Sequence, residues 1–359
     1  MTDDNEKRLA GLVENLPEGV DCALIFSPEN RFYFTGFNAS DGVLIAGANG
    51  CVFLTDSRYT EAAQRCVTAC DVRLLKKLSQ ELPGELKAFG YGCAAIEAQH
   101  TSISELKKIK EILPGFRFET EALDGIINDL RTVKSDGEKE LIVLAQRCAE
   151  RAFEHILGFI KPGVTEREIA LELDYHMLKD GAQGISFETI AVSGKNSSMP
   201  HGVPSDKRIE NGDFVTMDFG AVIGGYHSDM TRTVAVGAVS DEQRHVYDTV
   251  LEAQLAAISA VRDGVSCVDA DAAARDVIKS AGFGEFFGHG TGHGVGIEIH
   301  EQPRVSYTSD EILHCGNVVT VEPGIYLPGR FGVRIEDMVS VTADGCENLT
   351  LAPKQLIVL

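Results

Sequence analysis

Apolar residues in the first third of the chain fall in short unbroken runs. Residues 22–26 (Cys-Ala-Leu-Ile-Phe), 42–46 (Gly-Val-Leu-Ile-Ala) and 51–55 (Cys-Val-Phe-Leu-Thr) lack polar alternation, which predicts strands buried on both faces. Residues 104–113, Ser-Glu-Leu-Lys-Lys-Ile-Lys-Glu-Ile-Leu, predict a surface helix stopped by Pro114. Strand and helix signals alternate here, an α/β pattern. Gly and Asn stand at the connections, but no phosphate-cradling GxGxxG or P-loop arrangement is present.

The pattern changes near residue 131. Ser135 with Glu138 forms a capping box, and a helix-spaced apolar run through Leu141, Leu144, Ala145, Cys148, Ala152 and Ile156 follows it. A new domain is expected to begin there, which divides the chain into residues 1–131 and 132–359. Thr165 with Glu168, and Ser240 with Gln243, repeat the start signal before two further helices, the second reaching to about Gly264. Strands lie between them. The expected architecture is α+β, with helices packed on one side of a curved antiparallel sheet.

A length of 359 residues exceeds one typical core and suits two domains of unequal size. The formal charge of -21 argues against nucleic acid and anionic membrane surfaces as partners, because both would repel it. No run approaches the roughly 20 apolar residues of a membrane helix, and the acidic Met1–Glu6 stretch lacks the core of a secretory signal. The nine scattered cysteines read as reduced thiols, and a cytoplasmic location is expected. Cys66 and Cys70 are spaced to share a helix face, but no second Cys or His pair lies nearby, so core packing is expected rather than zinc.

Several acids stand where apolar residues are expected. Asp218 interrupts the run Phe214-Val215-Thr216-Met217, Glu322 ends Val318-Val319-Thr320-Val321, and Glu336 sits among Val333, Ile335 and Met338. An unpaired buried carboxylate costs several kcal/mol or more, so these faces are either wet or neutralised by cations. Residues 218–229 read as a β-hairpin turning at Gly224-Gly225. That register sets Ile223 against Tyr226 and Asp218 against Thr231, with Asp229 as the diagonal neighbour of Asp218, roughly 7–8 Å away. Two such carboxylates can grip a metal pair spaced about 3.5–4 Å. The plain alternative is a pair of solvated aspartates.

His289 and His293 lie among four glycines in residues 288–294, and His300 is expected on the polar face of a strand whose other face carries Val295, Ile297 and Ile299. Pro323 marks the strand end after Glu322. Arg334 and Glu336 share a face by period two, opposite Val333 and Ile335, and their plain alternative is a surface ion pair. Four carboxylates and one imidazole make a hard, oxygen-rich donor set that favours Mn²⁺ over thiolate-type zinc binding.

The ordered set Asp218, Asp229, His293, Glu322 and Glu336 stands in the settings Met-Asp-Phe-Gly, Ser-Asp-Met-Thr-Arg-Thr, Gly-His-Gly-Val-Gly, Val-Glu-Pro-Gly and Arg-Ile-Glu-Asp. It resembles the pita-bread metallopeptidases of the M24 family, and within them the Xaa-Pro peptidases, prolidase and aminopeptidase P. The resemblance spans nearly the whole chain, including a smaller α/β domain of the creatinase type with Phe53-Leu54-Thr55-Asp56-Ser57-Arg58-Tyr59. Methionine aminopeptidases share the ligands but usually lack that domain.

The resemblance implies a C-terminal pita-bread domain holding two divalent ions per chain, Mn²⁺ first, with Co²⁺ or Zn²⁺ as alternatives. Asp229 is then expected to chelate one ion, Asp218 and Glu336 to bridge, and His293 with Glu322 to complete the other. Glu322 is also expected to shuttle a proton. His201 matches a substrate-side histidine, His300 an oxyanion-stabilising one, and His289, Tyr326 and Arg334 supporting positions around the substrate. Arg304 is expected to meet a substrate carboxylate. Short proline-containing peptides and a second copy of the chain are the implied partners. Two rivals on the same fold remain at this point: a catalytically silent peptide-binding protein and a metal-free creatinase.

Overall fold

The computed structural model describes residues 2–359; Met1, at the head of the acidic stretch, lies outside them. The chain divides into one unit ending at Arg131 and a second running Thr132–Leu359. No helix among the described residues is long and apolar enough to cross a membrane.

The first unit carries six strands, β1 (Cys22–Ile25), β2 (Val43–Gly47), β3 (Gly50–Thr55), β4 (Asp71–Leu74), β5 (Cys93–Ile96) and β6 (Arg117–Glu119), in one sheet of order β4-β3-β2-β1-β5-β6. Its helices are α1 (Thr2–Glu14), α2 (Pro28–Thr35), α3 (Thr60–Cys66), α4 (Leu78–Phe89), α5 (Ile103–Ile112) and α6 (Leu123–Thr132). The three apolar runs form β1, β2 and β3, and β1 and β2 are buried along their whole length, as unalternating strands must be. Leu82, Leu86 and Ile109 from α4 and α5 close the core over Leu24, Ile45 and Val52. Cys66 departs from the expected core packing: it is exposed at the end of α3, and Cys70 lies beyond that helix.

The second unit pairs helices with strands twice. α7 (Asp136–Leu157) and α8 (Glu166–Lys179) precede β7 (Gly184–Ile185), β8 (Ile190–Ser193), β9 (Phe214–Phe219), β10 (Ala221–Ile223), β11 (Tyr226–His227) and β12 (Met230–Ala235). α9 (Asp241–Ala260) and α10 (Cys267–Ser280) precede β13 (Gly292–Gly294), β14 (Glu301–Val305), β15 (Val318–Val321), β16 (Gly324–Leu327), β17 (Phe331–Arg334), β18 (Asp337–Val341) and β19 (Cys346–Asn348). The larger sheets run β12-β9-β8 and β14-β13-β15-β18-β19, antiparallel throughout. Capping boxes at Ser135, Thr165 and Ser240 start α7, α8 and α9, each hydroxyl accepting the N–H three residues on. The buried stripe of α7 runs through Ile142, Ala145, Ala149 and Phe153, while Leu144, expected in it, is 47% exposed.

Period two then sorts the strands that carry the acids. Met217 and Phe219 of β9, and Met230 and Val234 of β12, share a core with Ala149 and Phe153 of α7 and Leu173 and Met177 of α8. Thr216, Asp218, Thr231 and Thr233 point the opposite way. Val319, Val321, Val333 and Ile335 share a second core with Val250 and Ala253 of α9 and Ala270 and Ala274 of α10, which turns Thr320, Glu322, Arg334 and Glu336 away from the helices. Polar side chains of both halves therefore face one another. Thr216 and Thr233 hydroxyls lie 3.0 Å apart, the Thr233 hydroxyl donates to the Arg334 carbonyl (3.0 Å), and the Glu336 N–H donates to the Thr231 carbonyl (3.2 Å).

Arg232 locks this junction from behind. Its buried guanidinium donates to the carbonyls of Thr231 (2.8 Å), Glu336, Ala352 (2.7 Å) and Pro353 (3.0 Å), and pairs with Asp337 at 2.8 Å. Asp337 also receives Lys354 and Asn348, so it stays ionised despite burial: the basic side chains hold its pKa low. Replacing Arg232 by Met removes the main partner of a buried carboxylate. The expected loss is about 3–5 kcal/mol, read from the urea midpoint of the full chain followed by circular dichroism.

Candidate metal centre

The hairpin register is the one its glycines impose. Ile223 pairs with Tyr226 and Asp218 with Thr231, with Gly224 and Gly225 at φ of 60° and 80°, values open to glycine in a tight two-residue turn. Tyr226 is pinned by its hydroxyl, which donates to the Glu138 carboxylate of α7 at 2.8 Å. Asp229 follows β11 and is 4% exposed; Glu336 is 1% exposed in the break between β17 and β18.

His293 arrives on β13, inside the glycine-rich loop. A Cβ on Gly292 would lie 1.9 Å from the Thr320 carbonyl oxygen, and one on Gly294 2.2 Å from that of Gln302, so only glycine lets β13 sit between β14 and β15. Asp271 of α10 braces the loop by accepting the Thr291 N–H (3.0 Å) and hydroxyl (2.9 Å), and Arg275, paired with Asp271, donates to the His289 carbonyl at 2.8 Å. An Asp and Arg four apart on a helix look like a surface pair in sequence, which concealed this role.

The four acids and the imidazole converge. One ligand atom each from Asp229, His293 and Glu336 lies within 4.8 Å of the others. His293 Nε2 is 3.5 Å from Asp229 Oδ2 and 3.3 Å from Glu322 Oε1. Thr231 donates to Glu336 Oε2 (2.6 Å), Thr320 donates to Glu322 Oε1 (3.1 Å), and Arg334 donates to Asp218 Oδ2 (2.6 Å). The two threonines carry no recognisable signal in sequence.

Their chemistry fits a divalent cation. His293 Nδ1 lies 3.0 Å from the Gly294 carbonyl, an acceptor only, so this nitrogen carries the proton and the Nε2 lone pair faces Asp229 and Glu322. Burial lowers the imidazole to a pKa of about 4, keeping it neutral. Burial, then Arg334 and Asp218 acting in opposite senses, leaves Glu322 raised to about 8. Burial first, then neighbouring carboxylates, raises Asp229 and Glu336 well above the usual carboxylate range. A neutral imidazole lone pair facing crowded carboxylates, with Asp218 Oδ1 buried and lacking a hydrogen-bond partner, is a donor set suited to a hard cation.

Around these groups lies a cavity of about 640 Å³. His201, His289, His300, Arg304 and Arg334 line it together with Asp218, Asp229, His293, Glu322 and Glu336. The His300 ring meets that of His293 edge-on, with centroids 4.4 Å apart. Two expectations are revised. His300 is not on a strand: residues 295–300 form an irregular segment after a register shift between His293 and Gly294, with Val295, Gly296 and Ile297 all buried. Tyr326 does not contact the cavity, because its hydroxyl is buried behind the wall between His289 Nε2 (2.9 Å) and Arg334 Nη1 (2.9 Å).

Arg334 is a holding group, in keeping with a supporting position. Beyond Asp218 and Tyr326 it donates to Thr231 Oγ1 (3.0 Å) and the Pro200 carbonyl (3.2 Å). Burial would draw its pKa down, but Tyr326, Asp218 and Glu322 push it well above its ordinary value, so it stays cationic. His293 stands beside Asp229, and the Asp218 carboxylate is turned to Arg334.

These shifts make metal-free stability fall with pH. A carboxyl whose folded pKa is raised stabilises fully below its unfolded value, and that contribution is lost as pH rises through the folded one. Metal-free protein is therefore expected to melt at lower temperature at pH 8.5 than at pH 6, through the Glu322 range near 8. Adding Mn²⁺ is expected to reverse the trend and to release protons at pH 6–7, measurable by calorimetry in buffers of differing ionisation enthalpy.

Residues 140–343 match metallopeptidase family M24, and residues 8–133 match the Creatinase/Prolidase N-terminal domain. An Xaa-Pro dipeptidase of Pyrococcus furiosus is 36% identical, over 98% of this chain and 100% of its own. The structure of an Xaa-Pro dipeptidase from Bacillus anthracis superposes with a TM-score of 0.94 at 41% identity, covering 100% of both chains. That of an X-Pro aminopeptidase from Thermotoga maritima gives 0.90 at 39% identity, over 95% of this chain and 98% of its own. The resemblance carried by the five motifs and the α+β, two-domain architecture are thus borne out: the chain belongs to metallopeptidase family M24.

Proposed function

We propose that this protein is a dinuclear metal-dependent peptidase that hydrolyses the Xaa-Pro bond at the N-terminus of short peptides. The observation that carries the reading is the convergence of Asp218, Asp229, His293, Glu322 and Glu336 in one cavity that also presents His201, His300 and Arg304. The relatives named Xaa-Pro dipeptidase and X-Pro aminopeptidase support it.

Asp218, Asp229, His293, Glu322 and Glu336 are the residues that would hold two divalent ions. Bound divalent ions supply Lewis acidity and water of near-neutral pKa. Glu322, beside that site and oriented by Thr320, takes the proton from the attacking water and returns it to the leaving imino nitrogen. His300 donates to the developing oxyanion, and His201 holds the substrate from the adjoining wall. Arg304, exposed at the cavity, receives the proline carboxylate of a dipeptide. Mn²⁺ is the proposed ion on the hardness of the donors, the cytoplasm the proposed compartment, and a homodimer the proposed assembly.

Dialysis against a chelator is expected to abolish cleavage of an Xaa-Pro dipeptide, and Mn²⁺ or Co²⁺ to restore it, with metal content near two ions per chain. Glu322→Gln is expected to lower kcat by roughly 10²–10⁴-fold, and His300→Ala by roughly 10²–10³-fold. Comparing an Xaa-Pro dipeptide with an Xaa-Pro tripeptide separates dipeptidase from aminopeptidase preference. Full activity after exhaustive chelation sinks the metal role. Two bound ions without turnover of any Xaa-Pro peptide establishes a peptide-binding protein instead.

A further inference from the structure

Outside the ligand cluster and its Arg334, the cavity wall carries two charged side chains, Arg304 and Glu188, both exposed. Among the described residues neither has an ion-pair partner. Arg304 stands on β14. Glu188 arrives on a different segment. It stands two residues before Ile190, which pairs with Asp218 across β8 and β9, so its backbone lies no more than about 7 Å along the chain from a residue bonded beside the metal centre. Thr189 between them is buried and donates its hydroxyl to Asp174, which holds this stretch in place.

Phe187 and Ile190, on either side of Glu188 in the same segment, also line the cavity. Apolar groups and a carboxylate on one wall suit a long cationic side chain, with its methylene stem on the apolar groups and its charge at the acid. A peptide's own α-ammonium lies one carbon from the scissile carbonyl and so stays with the reacting bond, which leaves Glu188 for a side chain. We propose that Glu188 reads the residue preceding proline and favours lysine or arginine there. This rests on the Xaa-Pro reading.

The test compares lysyl-proline with its neutral isostere norleucyl-proline, using the metal-loaded full chain. The ratio of kcat/KM for the two is expected to favour lysine in the wild type, to fall roughly three- to tenfold in Glu188→Gln, and to fall further in Glu188→Lys. Because the ratio is internal to each preparation, partial loss of folded enzyme does not affect it. Raising salt from about 0.05 to 0.5 M is expected to compress the wild-type ratio and to leave that of Glu188→Gln flat. A ratio unmoved by both substitutions overturns the assignment of Glu188 while leaving the peptidase intact. A metal-loaded wild type that turns over neither dipeptide overturns the Xaa-Pro reading itself.

Discussion

Mutual repulsion among carboxylates packed away from water is the constraint around which the second unit is organised. Two unit charges 4 Å apart repel by about 4 kcal/mol even at an effective dielectric constant near 20, and a domain's whole stability is about 5–15 kcal/mol. Asp218, Asp229, Glu322 and Glu336 cannot all ionise together on those terms without positive charge among them. Arg334 supplies one cation, fixed against Asp218, and the upward shifts of Asp229, Glu322 and Glu336 show that it does not suffice. Protons held by these acids relieve the rest in the metal-free protein, and a divalent ion would displace them, which ties the cluster's stability to its chemistry.

The surrounding residues keep these groups together without neutralising them. Thr231 and Thr320 each give one hydroxyl proton to a carboxylate, fixing its orientation while leaving other lone pairs for a cation. Gly294 fixes the His293 tautomer through its carbonyl. The chain Arg334 to Tyr326 to His289 to the Gly290 carbonyl is directed in the same way: the guanidinium can only donate and the carbonyl only accept. His289, lowered to about 4 by burial and Arg334, is neutral and accepts the tyrosine proton on Nε2. Thr231, Thr320 and Tyr326 act on the cavity through a neighbour.

Charge compensation is layered. Arg232 and Asp337 form a second buried pair directly behind Glu336 and Thr231, so the backbone at the metal centre is gripped from the side away from substrate. A pair of this kind contributes little net stability against apolar residues, but losing one partner is costly, which makes it a device for position.

Much of this was legible in the sequence. Unbroken apolar runs marked the buried strands, capping boxes marked the starts of α7, α8 and α9, and acids inside strands marked the centre, because period two and hydrogen-bond capping are local rules. Gly224 and Gly225 set the hairpin register for the same reason. What only the tertiary structure decided was mutual geometry across distant segments. That His293 neighbours Asp229, that Tyr326 stands behind the wall, and that Thr231, Thr320, Asp271 and Arg232 hold the ligands all depend on contacts between residues about 20 to more than 100 positions apart. The segment carrying His300 shows the same limit: an alternating pattern predicted a strand, but the register shift at Gly294 removed the pairing partner that a strand requires.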